Sequence, residues 1–493
     1  RALDAPMGNV LPSPVTSALV KRYSNEVVRV GLCEMNGWRP SMEDAEAVLL
    51  QPAWGFFGVF DGHGGSQCSS FVARRFVEEI NAGSGPLTDA KAVKDLCLNI
   101  DAEYLETGQS SGSTATFAFV TAPEERHGRY KLCIGNVGDS RVLLGHNDGS
   151  MFEGSGTDGA LTTDHKPDHP DEQARIERTG GAVVNSMGVA RVNGDLALSR
   201  AFGDAKHKTT GGPSPEERPV TADPQVLALE CNSDDFLMLV CDGISEGTFP
   251  NREVVRFASE QLDKCNGDPA AAATEVCKQA MRMGSRDNLL CMIVLLGNGF
   301  LAGPEEEFLP GPADNLRDAS FRRAYTGFAE RAGLTLAEAV ERRHCHERKM
   351  LQDVDGHAKD LEQAYESFGT GPPADATIQE RVAWVEAWLV GLPKAEEGSP
   401  SANRALALKD AAPVLAGGAF CSSSTDCNST SSMSSSSSSL SDECGTAVSV
   451  DPQSGSLANQ RLSKFGVVRV VEADELASVL QAWVAPPDLD PKD

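Results

Sequence analysis

Positive charge is scarce in this chain: 44 Lys and Arg stand against 71 Asp and Glu in 493 residues, a formal net charge of −27. A polyanion would be repelled on average and no local basic patch offsets that, so nucleic acid is excluded as an expected partner. Long apolar runs are missing too. No stretch approaches the roughly 20 residues of a membrane-spanning helix, and no charged-then-apolar secretion leader opens the chain, so no transmembrane span is expected. The thirteen cysteines form no recurring C-x-x-C pair. Cys133, Cys241 and Cys291 sit inside apolar runs, Cys97 and Cys277 in helix-like segments, Cys421 and Cys427 in a Ser-rich tract, a spread that suits buried free thiols better than a disulfide framework or a zinc site. A reducing compartment follows, cytoplasmic with the nucleus as alternative. Internal repeats are absent. The first residue is Arg1, and if Met7 is the true start, Gly8 becomes a candidate for N-terminal lipidation, although Pro12 stands where that motif wants Ser or Thr.

Two aspartates, Asp61 and Asp242, each close an apolar run and are each followed by glycine: Trp54 to Phe60 before Asp61-Gly62-His63-Gly64-Gly65, and Phe236 to Cys241 before Asp242-Gly243. Short apolar runs closed by glycine read as strands buried on both faces, so each carboxylate should emerge at a strand tip. Asp287 repeats the arrangement in reverse, ahead of the run from Leu289 to Leu296. Three carboxylates at the mouths of three buried strands are unfavourable unless a cation gathers them. A hard divalent metal would do so.

Strand-like runs at 26–31, 45–50, 54–60, 113–120, 131–137 and 141–145 come in clusters, and helix-like stretches at 66–80, 90–105, 251–264 and 269–283 come in pairs. Grouped strands and grouped helices argue for an α+β fold of layered antiparallel sheets. The expected organisation is an N-terminal segment over 1–24, a catalytic domain over 25–300, an acidic Pro/Gly-rich linker over 301–313 and a mainly helical extension over 314–395. A Ser-rich linker over 396–460 cannot bury enough to fold, and a short strand and helix close the chain over 461–493. In the extension, Thr335 and Glu338 have capping-box spacing, an amphipathic pattern runs over 351–368, and 377–392 predicts a second helix with Val385, Trp388 and Leu392 on one stripe. Both stripes are read as packing surfaces rather than partner sites. His344 and His346 on a charged helix are read as solvated.

Seven motifs stand in order over residues about 25–297: Arg39-Pro-Ser-Met-Glu43-Asp44, Phe60-Asp61-Gly62-His63-Gly64-Gly65, Gly138-Asp139-Ser140-Arg141, Asp164-His165-Lys166-Pro167, Leu196 through Arg200 to Asp204, Asp242-Gly243-Ile244 and Ser285-Arg286-Asp287-Asn288. In this order they resemble the protein phosphatase 2C-type (PPM) family of metal-dependent protein Ser/Thr phosphatases. The resemblance implies two stacked antiparallel sheets flanked by helical pairs, an α-β-β-α sandwich. It also implies phosphoprotein substrates, a binuclear Mg²⁺ or Mn²⁺ centre with a metal-bridging water as nucleophile, and a monomer. By position, Asp61 would bridge both ions, the Gly62 carbonyl would hold one, and Asp242 and Asp287 the other, with Glu43 and Asp44 acting through water. All-oxygen ligation of this kind selects Mg²⁺ or Mn²⁺ over zinc. Arg39 matches the phosphate-binding arginine, His63 the candidate general acid, and Arg200 the substrate flap over 191–219. His165 reads as a loop anchor. Asp139 matches a ligand of a third, weaker ion, whose last partner is usually the Asp of Asp-Gly-Ile-Trp-Asp; here Ser245-Glu246 stands in place of Trp-Asp.

Two rivals belong to other classes. A catalytically impaired relative would bind phosphoproteins or scaffold a complex, and such proteins typically lose metal aspartates, whereas Asp61, Asp242 and Asp287 are all present. A plain acidic interaction protein would explain one Asp-Gly turn but not seven motifs in register.

Overall fold

The computed structural model describes residues 11–392 apart from 84, 126–127, 246–247, 298, 300, 302, 353–370 and 373–375. One antiparallel sheet runs in the order β16 (Glu306–Leu309), β1 (Val15–Ser24), β2 (Val28–Gly37), β15 (Leu289–Leu296), β14 (Phe236–Val240) and β9 (Arg141–Gly145). A second runs β13 (Gln225–Cys231), β8 (Tyr130–Val137), β7 (Ala115–Thr121), β4 (Trp54–Phe60) and β3 (Ala45–Gln51). The aspartate-flanking runs are strands of these sheets with nearly every residue buried.

Alternation along the second sheet explains why its runs are apolar throughout. Val48, Leu50, Phe57 and Val59 join the core shared with the first sheet, while Leu49, Phe56 and Phe60 join a separate core under α1 (Gln67–Ala82) and α2 (Ala90–Glu106). On the far side, α5 (Asn251–Lys264) and α6 (Pro269–Arg282) cover the first sheet, with α6 lying on β2 and β15. Both faces of each sheet are thus covered, as the expected sandwich requires. The described cysteines are all free thiols, and only Cys265 and Cys345 are partly exposed. Among the described residues no helix is long and apolar enough to cross a membrane.

Two stretches differ from expectation. Part of the segment 1–24 is β1, an inner strand, and part of the expected linker 301–313 is β16, paired with β1 through Ala18↔Leu309 and Lys21↔Glu306. Charge hides both strands in the sequence. Lys21 and Arg22 interrupt the apolar pattern of β1, yet both are buried, Lys21 against Glu34 at 2.8 Å and Glu46, Arg22 against Asp268 at 3.0 Å and Glu307 at 3.2 Å.

The extension packs on this body. α7 (Ala319–Arg331) contacts β1, α8 (Leu336–Gln352) carries the expected capping box, with Glu338 Oε2 accepting from Thr335 N–H at 2.7 Å, and α9 (Ile378–Gly391) lies on α8. Val385, Trp388 and Leu392 are buried in the main core. His344, expected in solvent, is buried on α8, where a Cβ on Gly371 would come within 2.2 Å of its Nε2. The amphipathic pattern lies outside the described residues beyond Gln352, as do the Ser-rich stretch and the closing strand and helix.

Candidate metal centre

Strand register gathers the predicted carboxylates at one edge. Ala45↔Phe60 pairing brings Asp44, before β3, beside Asp61, after β4. In the first sheet, Val240↔Cys291 and Val240↔Arg141 put Asp242, Asp287 and Asp139 at the same end, and Met35↔Leu289 brings the loop carrying Arg39 there as well. Two glycines let the backbones close up. A Cβ on Gly62 would lie 2.2 Å from the Glu43 carbonyl oxygen, and one on Gly243 2.1 Å from that of Asn288.

Three side chains absent from the predicted set hold this edge together. Asn288 accepts from Glu43 N–H at 3.0 Å and donates to the carbonyls of Asn36 at 2.8 Å and Ser41 at 3.0 Å, pinning the Arg39 loop to β15. Thr114 interrupts the expected strand 113–120, dividing β6 (Gly112–Ser113) from β7. Its N–H donates to the Asp61 carbonyl at 2.8 Å, its Oγ1 accepts from Asp61 N–H at 3.1 Å, and that hydroxyl also meets Ser140 at 2.9 Å. Asp204 meets His63 Nε2 at 2.7 Å. The short sheet of β5 (Gly62–His63), β6 and β12 (Phe202–Gly203) brings those two together across 141 positions of sequence. Asn288 and Asp204 stand inside the motifs already singled out; Thr114 carries no such signal.

The carboxylates oppose one another. Burial first, then Asp287 and Asp242, push the Asp44 carboxyl well above its ordinary range, and burial first, then Asp44, Asp287 and Asp139, push Asp61 up likewise. Asp44 is 1% exposed, and its Oδ2 has no hydrogen-bond partner. A buried carboxylate oxygen without a partner is a costly arrangement that a bound cation relieves. The five ring the mouth rather than meeting at a point: among the described residues no three His, Cys, Asp or Glu side chains stand together at metal-ligand spacing. Arg39 Nη2 reaches Asp287 at 2.5 Å and Lys166 Nζ reaches Asp139 at 2.5 Å. Burial disfavours charge on His63, but the Asp204 carboxylate outweighs it, so the histidine pKa is raised. The donor set, oxygen only and anionic, fits a hard divalent ion.

Glu43 lies at the same mouth, its Oε2 accepting from Gly65 N–H at 3.2 Å. Glu246 lies outside the described residues. Arg200, expected in a substrate flap, is tied down: its guanidinium donates to Glu172 Oε1 at 2.7 Å, on α3 (Pro170–Arg178), and to the Asp223 carbonyl at 2.8 Å. His165 holds a loop as expected, Nδ1 accepting from Gly138 N–H at 3.0 Å. A cavity of about 430 Å³ lined by Arg29, Asp234, Asp235 and Asp263 lies at the opposite ends of β14 and β15 and touches none of these residues.

A family profile described as Protein phosphatase 2C matches residues 28–289. Protein phosphatase 1A of Bos taurus is 32% identical over 321 residues, covering 61% of this chain and 78% of its own length. Probable protein phosphatase 2C 5 of Paramecium tetraurelia is 32% identical over 314 residues, covering 59% of this chain and 99% of its own. The crystal structure of a phosphatase from a pathogenic strain of Toxoplasma gondii superposes with a TM-score of 0.49 at 29% identity, covering 59% of this chain and 98% of that one.

Proposed function

Because this chain belongs to the protein phosphatase 2C family, we propose that it hydrolyses phosphoserine and phosphothreonine in proteins at a binuclear Mg²⁺ or Mn²⁺ centre. The observation that carries the proposal is the convergence of Asp44, Asp61, Asp139, Asp242 and Asp287 on one edge with a buried Asp44 oxygen left without a partner. In this reading Asp61, the Gly62 carbonyl, Asp242 and Asp287 would hold two ions, Glu43 and Asp44 would act through water, and Asp139 with Glu246 would take a weaker third. The ions supply Lewis acidity that makes water nucleophilic near neutral pH and draws charge from the phosphoryl oxygens.

The other roles fall to the chain's own groups. Arg39, its side chain 52% exposed, can turn its planar fork from Asp287 to two phosphoryl oxygens and so orient the phosphate. Asp204 favours the protonated form of His63, the state in which it can give a proton to a departing seryl oxygen. Asn288 and Thr114 hold the loops so that these groups keep their spacing. A phosphoprotein substrate, a monomeric enzyme and a reducing compartment belong to the same proposal, the last supported by the free thiols.

Phosphate release from a phosphothreonine peptide by the full-length protein, with Mn²⁺ and with chelator, tests this reading. Turnover that requires the metal and vanishes with chelator is expected. Purified protein that binds the peptide but releases no phosphate at any Mn²⁺ concentration would instead establish a phosphoprotein-binding relative.

A further inference from the structure

Arg331 closes α7, beyond the last residue of the family match, yet its side chain reaches the backbone of Asp44 behind the mouth. The side chain is 11% exposed; Nε donates to Glu34 Oε2 at 2.5 Å, and Nη2 donates to the backbone carbonyl of Asp44 at 2.7 Å and stands 3.6 Å from Glu46 Oε2. Glu34 belongs to β2 in one sheet and Glu46 to β3 in the other. Lys21, from β1, already joins the same two carboxylates. The charge of Arg331 therefore completes a buried cluster of two cations and two carboxylates. Its hydrogen bond to Asp44 has a different role, because that carbonyl needs no charge to be satisfied and belongs to the residue whose side chain carries the orphaned oxygen.

We propose that Arg331 is a positioning residue of the metal centre, fixing the Asp44 peptide so that its carboxylate is aimed into the mouth, and that the C-terminal extension is thereby a working part of the site. The proposal rests on the metal reading of the mouth. A planar fork can make both contacts at once, one arm answering Glu34 while the other, at a set angle, answers the carbonyl. A lysine carries all its donors on one nitrogen, so it lacks the two separately placed arms that fix the angle between these contacts. Residues that support a metal's ligands from behind typically change its affinity by about 10–100-fold when altered.

The decisive variant is Arg331→Lys in the full-length protein, chosen over Arg331→Met because it leaves Glu34 a cation. Mn²⁺ binding is read without substrate, by loss of the free-ion electron paramagnetic resonance signal, beside melting temperature and the Mn²⁺ dependence of phosphate release. We expect Mn²⁺ affinity to fall about tenfold, the activation midpoint to rise by the same factor, and kcat at saturating Mn²⁺ to stay near wild type. Arg381→Lys is the control: Arg381 donates to Glu341 at 2.6 Å and to the Ala376 carbonyl at 2.9 Å inside the extension, so its loss should leave Mn²⁺ affinity unchanged. Wild-type Mn²⁺ affinity in Arg331→Lys overturns the proposal, as does an equal loss in Arg381→Lys, which would trace the effect to general packing. Wild-type protein that binds no Mn²⁺ overturns the metal reading and this inference together, an outcome distinct from the other two.

Discussion

At the mouth, Asp44, Asp61, Asp139, Asp242 and Asp287 crowd together with ion pairs from Arg39 and Lys166. Deeper between the sheets, Glu34 and Glu46 face Lys21 and Arg331. The deeper cluster is balanced. Burial opposes charge on Glu34, but Arg331 and Lys21 override it and hold its pKa down, whereas on Glu46 burial and the Glu34 carboxylate outweigh the same two cations and push the pKa up to about 7. In the mouth, burial and neighbouring carboxylates act in the same direction, and Asp44 and Asp61 are pushed upward. Balanced buried charge specifies how sheets and helices meet; unbalanced buried charge is tolerated where a ligand completes it. The two clusters share the Asp44 peptide, so the balanced one can serve as a footing for the other.

Removing a charge should therefore have opposite consequences in the two places. Asp61→Asn should abolish metal-dependent phosphate release while leaving the melting temperature in chelator equal to or above wild type, because it relieves repulsion. Retained turnover, or a large drop in stability, would erase the distinction. His63→Gln tests the chemistry around the mouth: release from phosphoserine should slow by about 10²–10⁴-fold, and release from an aryl phosphate, whose leaving group needs no proton, far less. Equal losses on both substrates would remove His63 as general acid. In the deeper cluster, Lys21→Met should cost about 3–5 kcal/mol in denaturant unfolding, since it leaves two buried carboxylates with one cation; a cost near zero would mean that water reaches the cluster.

The smallest expected effect concerns pH. Burial, and then the nearby Arg200, push the His165 pKa down to about 3. The unfolded chain takes up this proton near pH 6.5 while the folded one refuses it, so below pH 6.5 stability is lost by about 1.4 kcal/mol per pH unit until the folded group titrates. Melting curves from pH 7 to 4.5 should fall more steeply for wild type than for His165→Asn. Parallel curves would show that the protonated imidazole finds a partner in the fold.

The family motifs were legible because they are short contiguous units, an aspartate at a strand tip with glycine beside it, and such units survive without knowledge of the rest of the chain. The paired helices and the strand clusters were legible for a similar reason, since their periodicity is local. β1 was not, because its buried Lys21 and Arg22 read as surface charge until Glu34, Glu46, Asp268 and Glu307 are brought to them. The pairings of Asp204 with His63, of Thr114 with Asp61, of Arg200 with Glu172 and of Arg331 with the Asp44 carbonyl escaped for the same reason. Sequence by itself determined the residue types, the strand tips and the excess of carboxylates near them. Only the tertiary structure decided which carboxylates are paired and which stay exposed to one another, because that depends on contacts between segments up to 297 positions apart, for which local pattern carries no signal.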